Sequence, residues 1–300
     1  MPELPEVETV RRGLHELIIG HSVKTVEHDT PKSFPNATHD VQEFLIGATV
    51  TDVRRRAKVL LIDLSTNYTL VIHLKMTGQM VYRGRAVFGA GHPNESLIGE
   101  LPDRSTRVTL GFADGSHLYF NDQRKFGWMR LMPTLEVPEI DFMQKVGPEP
   151  LEAGFTADEF AARFKRRAGT SIKAALLDQT VVAGVGNIYA DESLWGAKVH
   201  PRRLVKTLTA EEFQLLYTEL REVMNLAIEK GGSTDKNYVN AEGKRGSYMD
   251  FARVFRREGQ ACPRCDATII KFKAAGRGTH ICPHCQQLSY TKRDDNCSHR

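Results

Sequence analysis

What the chain lacks narrows the field first. No apolar run in its 300 residues is long enough to span a membrane, which excludes a helical membrane protein. The N-terminus is too polar for a signal peptide, so a cytoplasmic protein is expected. No internal repeat is present, and the absence of dimerising heptads makes a sequence-reading transcription factor a poor fit; a monomer is the expectation. Neither charge sign dominates: 41 Lys and Arg against 37 Asp and Glu leave a net charge of +4. The basic residues are clustered instead, at Arg54-Arg55-Arg56 with Lys58, Lys165-Arg166-Arg167, Arg202-Arg203 and Arg256-Arg257. One such run is usually a solvated face, but several make a polyanion partner plausible. Cysteine is scarce, at five residues, and four of them fall in one short segment.

Those four are Cys262-x2-Cys265 and Cys282-x2-Cys285, separated by sixteen residues. Two Cys-x-x-Cys knuckles at this spacing suit one tetrahedral Zn2+. Two disulfides or a redox dithiol are the alternatives, and the lack of a secretion signal favours zinc. Four thiolates leave no open position for a substrate, so the zinc is expected to be structural. Lys271, Lys273, Arg277 and His280 lie between the pairs, giving a basic hairpin shaped to enter a DNA groove or merely to be solvated.

Length allows two or three domains. Residues 21 to about 131 read mainly as strands: Thr49–Leu64 and Tyr68–Tyr82 are rich in Val, Ile, Leu and Thr, and Asp114-Gly115 is a hairpin signal within Thr106–Asn121. Arg83–Leu101, rich in Gly, Pro and polar residues, reads as a surface loop. Beyond Pro133 the pattern turns helical. Capping boxes open helices at Thr156 and Thr209, short helices are expected at Ser171–Asp178 and Asn187–Ala197, and a strand at Phe251–Phe255. The fold class is therefore α+β: an N-terminal β-sandwich with its helix (1–135), a helical domain with a long polar loop (136–255), a zinc finger (256–287) and a disordered tail (288–300) containing Cys297.

The chemistry is placed at Met1-Pro2-Glu3-Leu4-Pro5-Glu6. With Met1 removed, Pro2 presents a secondary amine. An α-amino group titrates at roughly pH 7.7–8.0, so part of it is an uncharged nucleophile at neutral pH. Attack on a sugar aldehyde carbon gives an iminium, an electron sink suited to eliminating phosphate. Glu3 can protonate a leaving or ring oxygen, and Glu6 can order water or charge beside it. On these residues alone, an ordinary helix start is the stronger reading: Pro5 suits a first turn, Val7, Val10, Leu14, Leu17 and Ile18 share a face, and Gly20 ends it. Two weaker signals accompany it. Gly184-Val185-Gly186-Asn187 is a turn that lets N–H groups approach a phosphate, with Lys173 on the helix before it, or a plain helix–helix turn. Met76, Arg124 and Phe126 are side chains able to fill the gap left by an extruded base.

Together these motifs resemble the bacterial formamidopyrimidine-DNA glycosylase family, also called 8-oxoguanine DNA glycosylase/AP lyase. The resemblance rests on Pro2-Glu3-Leu4-Pro5-Glu6-Val7-Glu8-Thr9, Arg55-Arg56-Ala57-Lys58, His73-Leu74-Lys75-Met76-Thr77-Gly78, Asp122-Gln123-Arg124-Lys125-Phe126-Gly127, Val185-Gly186-Asn187-Ile188-Tyr189-Ala190, and the cysteine finger with Gly276-Arg277-Gly278-Thr279. It implies a helix–two-turns–helix domain. It also implies roles: Pro2 as Schiff-base nucleophile at C1′, Glu3 as proton donor, Lys58 as acid in β-elimination and Arg277 in δ-elimination. Met76, Arg124 and Phe126 would fill the void. Lys173, Asn187 and Arg277 would hold phosphates, with Arg107 and Tyr238 as further DNA contacts. The loop from Ser233 to Tyr248 would close on the everted purine. The expected partner is damaged double-stranded DNA, and no organic cofactor is needed. A sister branch acting on oxidised pyrimidines typically continues Pro-Glu-Gly-Pro; Leu4 with Arg124-Lys125-Phe126 favours the purine branch. A lesion binder without catalysis and a zinc-finger transcription factor are further alternatives. Three departures stand out: a long Arg83–Leu101 segment, Ser105 where many members have histidine, and Ala57 and Val59 where many have Gly and Tyr.

Overall fold

Helix α1, Leu4–Ile18, forms because its apolar residues recur at helical spacing: Leu4, Val7, Val10, Leu14 and Ile18 are all fully buried. The computed structural model describes residues 2–233 and 247–288. By internal contacts the chain divides into two units. One comprises 1–156, 178–186 and 221–251; the other comprises 157–177, 187–220 and 252–300. This differs from the linear division expected. The turn at 178–186 and the end of a long helix pack with the N-terminal strands, although they lie in the helical part of the sequence.

In the first unit, nine strands make two antiparallel sheets. Strands β1 (Val23–His28), β7 (Thr106–Phe112), β8 (His117–Asp122), β5 (Gly78–Arg83) and β6 (Val87–Gly91) lie in that spatial order in one sheet. Strands β2 (Val50–Arg56), β3 (Val59–Leu64), β4 (Tyr68–His73) and β9 (Trp128–Pro133) make the other. Side-chain alternation fills the space between them: Leu60, Ile62, Leu70 and Ile72 join Met80, Tyr82, Leu118, Phe120 and the α1 residues in one core. The opposite face of β3 and β4 is also buried, Val59, Leu61 and Val71 packing on Val137. Two short helices, α2 (Thr38–Phe44) and α3 (Asp141–Lys145), complete this part. The Asp114-Gly115 hairpin forms as expected, with Gly115 at φ +84°. The expected Arg83–Leu101 loop is instead partly strand: β6 pairs with β5 from Val87 to Gly91, and a 3-10 turn follows at Glu95–Leu97. Glycine masks an edge strand of this kind because it carries no alternating side chain.

The second unit contains α4 (Ala157–Lys165), α5 (Ile172–Leu177), α6 (Asn187–Gly196) and the first half of α7 (Ala210–Glu229). Phe160 and Phe164 share a fully buried face. Thr209 and Glu212 cap α7 reciprocally, each backbone N–H donating to the other's side-chain oxygen at 2.9 and 3.2 Å. The strand expected at Phe251–Phe255 is absent. The N–H groups of Arg253, Val254 and Phe255 all donate to the buried Glu192 carboxylate at 2.8–2.9 Å, which replaces a ladder partner. Strands β10 (Ile270–Ala274) and β11 (Arg277–Ile281) form the C-terminal hairpin. Ala275 and Gly276 both have positive φ, as a tight two-residue turn demands. Among the described residues no helix is long and apolar enough to cross a membrane.

Candidate active site and zinc centre

Four distant segments of the first unit meet around Pro2 and Glu3, both buried. Glu3 is the N-cap of α1, and Glu6 closes a capping box. Glu6 Oε2 accepts the Glu3 N–H at 2.7 Å, and its Oε1 accepts the Ser233 N–H at 2.7 Å. Glu6 thus orients the N-terminal segment, a more structural part than ordering water.

The glycine turn is the second wall. The Leu4 N–H donates to Gly184 O at 3.0 Å. A Cβ on Gly184 would lie 2.5 Å from the Leu4 side chain, and one on Gly186 would lie 2.2 Å from the Glu3 carboxyl carbon. Both glycines leave room for close approach of the N-terminal segment. Gln179 braces it, its Nε2 donating to Val185 O at 2.8 Å and its Oε1 accepting the Gly184 N–H at 3.0 Å.

Lys58 enters from the β2–β3 turn, almost fully buried, and Nζ donates to Val185 O at 2.8 Å. Glu3 and Lys58 therefore address neighbouring residues of one turn. Ala57 adopts φ +52°, a conformation that glycine takes more readily than alanine. Glu149 anchors it, accepting from the Ala57 N–H and from the guanidinium groups of Arg55 and Arg56 at 2.7 and 2.9 Å. His73 faces Val59 across β3–β4. Burial, then the Lys75 and Lys58 ammonium groups, pull it down to about 3, so it is neutral at physiological pH. Its Nδ1 accepts the Lys75 N–H at 3.1 Å, which leaves the proton on Nε2.

Met76 and the Arg124–Phe126 stretch lie at adjacent ends of paired strands, since Gly78 opposes Asp122. Phe126 is 48% exposed, and the Arg124 guanidinium lies 4.9 Å from its ring centre, as suits a wedge. Arg107 is corrected as a DNA contact. It is buried at a bulge of β7, with its guanidinium held by Asp122 O at 2.8 Å, by Asp29 and by Arg104 O. Lys173 is likewise corrected as a phosphate contact. It is fully buried in the second unit, with Nζ 2.6 Å from Asp191 and 2.7 Å from Thr279 Oγ1. Asn187 gives its amide to Gly278 O at 3.0 Å. Arg277 is exposed at the hairpin tip, in the second unit. Ser105 is buried and bonded to Asp103 and Ser96, a packing residue. Tyr238 and Cys297 lie outside the described residues.

The sulfurs of Cys262, Cys265, Cys282 and Cys285 all lie within 4.8 Å of one another, with closest separations of 3.4–4.0 Å. Zinc–sulfur bonds of ~2.3 Å in a tetrahedron need sulfurs roughly 3.8 Å apart. Donors already point at them: Trp195 Nε1 reaches Cys262 Sγ at 3.4 Å and the Cys285 N–H reaches Cys282 Sγ at 3.3 Å. Burial raises the Cys262 thiol, but N–H donors from Arg264, Trp195 and Cys265 bring it down to about 6. Burial and then the thiols of Cys265 and Cys282 push Cys285 up to about 12. Four thiolates crowded like this need a dication, and the set fits one structural zinc. The Arg264 guanidinium stacks 3.8 Å over Trp195 and donates to the last carbonyls of α6, securing the finger to that helix.

A β-sandwich with Pro2 and Glu3 at its start, a helical unit and a four-thiolate hairpin define the helix–two-turns–helix class of DNA-processing proteins. Residues 1–129 match the formamidopyrimidine-DNA glycosylase N-terminal domain, 146–238 its H2TH domain, and 259–288 the zinc finger found in FPG and IleRS. The formamidopyrimidine-DNA glycosylase of Pelotomaculum thermopropionicum is 41% identical over 289 residues, covering 96% of this chain and all of that one. A mutant Lactococcus lactis FPG bound to Fapy-dG-containing DNA superposes with a TM-score of 0.83 at 35% identity, over 96% of this chain and 100% of that one. Wild-type Lactococcus lactis FPG on DNA containing an oxidised pyrimidine gives 0.82 at 35% identity, again over 96% and 100%. The chain belongs to the formamidopyrimidine-DNA glycosylase family.

Proposed function

We propose that this DNA glycosylase of base excision repair removes oxidised purines, 8-oxoguanine and formamidopyrimidines, and then cleaves the strand as an AP lyase. The observation that carries the reading is the convergence of Glu3, next to Pro2 in the chain, and Lys58 on the 184–186 turn. The Pro2 amine attacks C1′ and the base leaves with the glycosidic electron pair, taking a proton from Glu3; the C1′–O4′ bond then opens, O4′ taking the amine's proton, and Pro2 is left joined to C1′ as an iminium. The resulting iminium acidifies C2′–H; loss of that proton expels the 3′ phosphate. A second elimination, aided by Arg277, expels the 5′ phosphate, and water hydrolyses the imine to free Pro2. Lys58, buried beside a carbonyl, serves as the acid of the first elimination. His73, neutral, adds an N–H donor and no charge to this pocket.

Met76, Arg124 and Phe126 enter the stack where the base has left. Exposed cations and the hairpin tip contact phosphates, which makes binding salt-dependent. Zinc, when bound, holds the hairpin that carries Arg277 and takes no part in the bond changes. The setting is cytoplasmic, on the nucleoid. Glu3→Gln tests the mechanism: base release from an 8-oxoguanine:cytosine duplex should fall by about 10²-fold or more, with strand cleavage at a preformed abasic site retained. Equal rates for both reactions in this variant contradict it. Faster release from an oxidised-pyrimidine duplex than from 8-oxoguanine places the protein in the sister branch instead.

A further inference from the structure

Asp122 is fully buried at the end of β8, and among the described residues its carboxylate makes no ion pair. Its four donors come from two different loops. Oδ2 accepts the Phe126 N–H at 2.8 Å and the Gly127 N–H at 2.6 Å. Oδ1 accepts the Arg124 N–H at 3.2 Å and the Thr77 hydroxyl. Thr77 Oγ1 in turn accepts from the Arg124 N–H at 3.1 Å. Met76 is the residue before Thr77. One carboxylate and one hydroxyl thus tie the Met76 turn to the Arg124–Phe126 turn.

Burying an unpaired charge is costly, and a neutral side chain would close the end of this strand more cheaply. The surroundings are shaped to bring these donors to the carboxylate. Lys75 and Lys125, one in each loop, take φ of +51° and +56°, a conformation L-residues avoid. Gly127 leaves the room for its own N–H to reach the carboxylate: a Cβ there would lie 2.7 Å from Phe120 Cζ and 3.1 Å from Asp122 Oδ2. Arg107, buried behind the strand, grips the Asp122 backbone carbonyl at 2.8 Å.

We infer that Asp122 is a positioning residue that couples the two wedge loops, so that Met76, Arg124 and Phe126 enter the duplex as one preorganised body. The inference rests on the proposed void-filling role of those three side chains. Arg107 and Thr77 support the clamp from either side. Preorganisation matters where a stacked, paired base must be displaced, because ordering two loops on DNA costs affinity for the opened state. It matters far less at an abasic site, which has no base to unstack.

The test compares two reactions in one duplex sequence, with full-length protein. Single-turnover base release is measured at 8-oxoguanine opposite cytosine, and strand cleavage at a preformed abasic site in the same position. Asp122→Asn keeps the size but removes the second acceptor; Thr77→Val removes only the bridge and carries the test if the first variant does not fold. Base release should fall by about tenfold in either variant, with abasic-site cleavage within about twofold of the parent. A parallel fall in both reactions assigns Asp122 to general stability and overturns the inference, as does base release unchanged in both variants. A parent protein that cleaves abasic sites without releasing 8-oxoguanine overturns the underlying reading instead.

Discussion

The Pro2–Glu3 segment, the proposed amine site, and the cysteine hairpin hold their groups by opposite means. At Pro2 and Glu3, position is set by shape and backbone. Leu4 donates to Gly184 O, the Glu3 carboxyl fills the space a Gly186 Cβ would take, and Lys58 reaches Val185 O. At the hairpin, four sulfurs gather within 4.8 Å around a place for one dication, with Trp195 of α6 donating to Cys262 and Arg264 of the finger donating to the end of α6. The first arrangement needs several segments folded together before it exists. The second is local in sequence and is completed by a ligand. The difference teaches where each is fragile: the amine site to small changes of volume anywhere along its walls, the hairpin to loss of its metal.

Removing the metal should have the largest effect. Structural zinc contributes an apparent ~10–16 kcal/mol in isolated zinc-finger peptides. Cys265→Ser should lower zinc from one ion per chain to none and open residues 259–288 to protease, with loss of DNA binding. Retained zinc and a protected hairpin would contradict the four-thiolate centre. Next comes volume at the amine site. Gly186→Ala must displace the Glu3 carboxyl, because its Cβ would sit 2.2 Å from Glu3 Cδ. A misplacement near 1 Å can cost about 10²-fold, so base release should fall to that extent with the thermal midpoint little changed. Unchanged release would mean that the turn does not set Glu3.

A smaller effect comes from pH. His73 is held at about 3 when folded, against an ordinary value of 6.5. Between those values the unfolded chain binds the extra proton, so stability rises with pH through this window and is fully present above 6.5. His73→Gln should flatten the stability–pH curve from pH 6.5 down to 3, and an identical slope in parent and variant would contradict the neutral, buried imidazole. The smallest effect is at Ala57, φ +52°. Left-handed strain of about 1–2 kcal/mol is partly offset by the roughly 0.4–1 kcal/mol that glycine adds to unfolded-chain entropy. Ala57→Gly should therefore raise the thermal midpoint by a few degrees at most; a lower midpoint would show that Glu149 already relieves the strain.

Features that depend on neighbours along the chain were legible in the sequence. The buried stripe of α1, the Asp114-Gly115 hairpin, the Thr209 cap and the cysteine spacing all arise within about twenty residues of chain, where periodicity and turn chemistry act. The glycines of 184–186 were visible, but their partner was not. Only the fold shows that they face Glu3 and Leu4, about 180 residues away in sequence. Charge misled for the same reason. Lys173 and Arg107 look like contacts for a polyanion until Asp191 and Asp29 are seen beside them. Gln179 and Glu149 carry no sequence signal of their own, since each acts through backbone groups that any residue possesses. The missing strand at 251–255 is a further case, its N–H groups claimed by Glu192 some sixty residues earlier.

The central claim is that the nucleophile is the Pro2 amine. It is tested most directly by mixing the protein with a duplex carrying one 8-oxoguanine opposite cytosine, adding borohydride, and mapping the covalent adduct to its peptide. The account predicts a reduced adduct on an N-terminal peptide beginning at Pro2. An adduct on a lysine peptide, such as that of Lys58, or tight binding with no adduct at all, would contradict it.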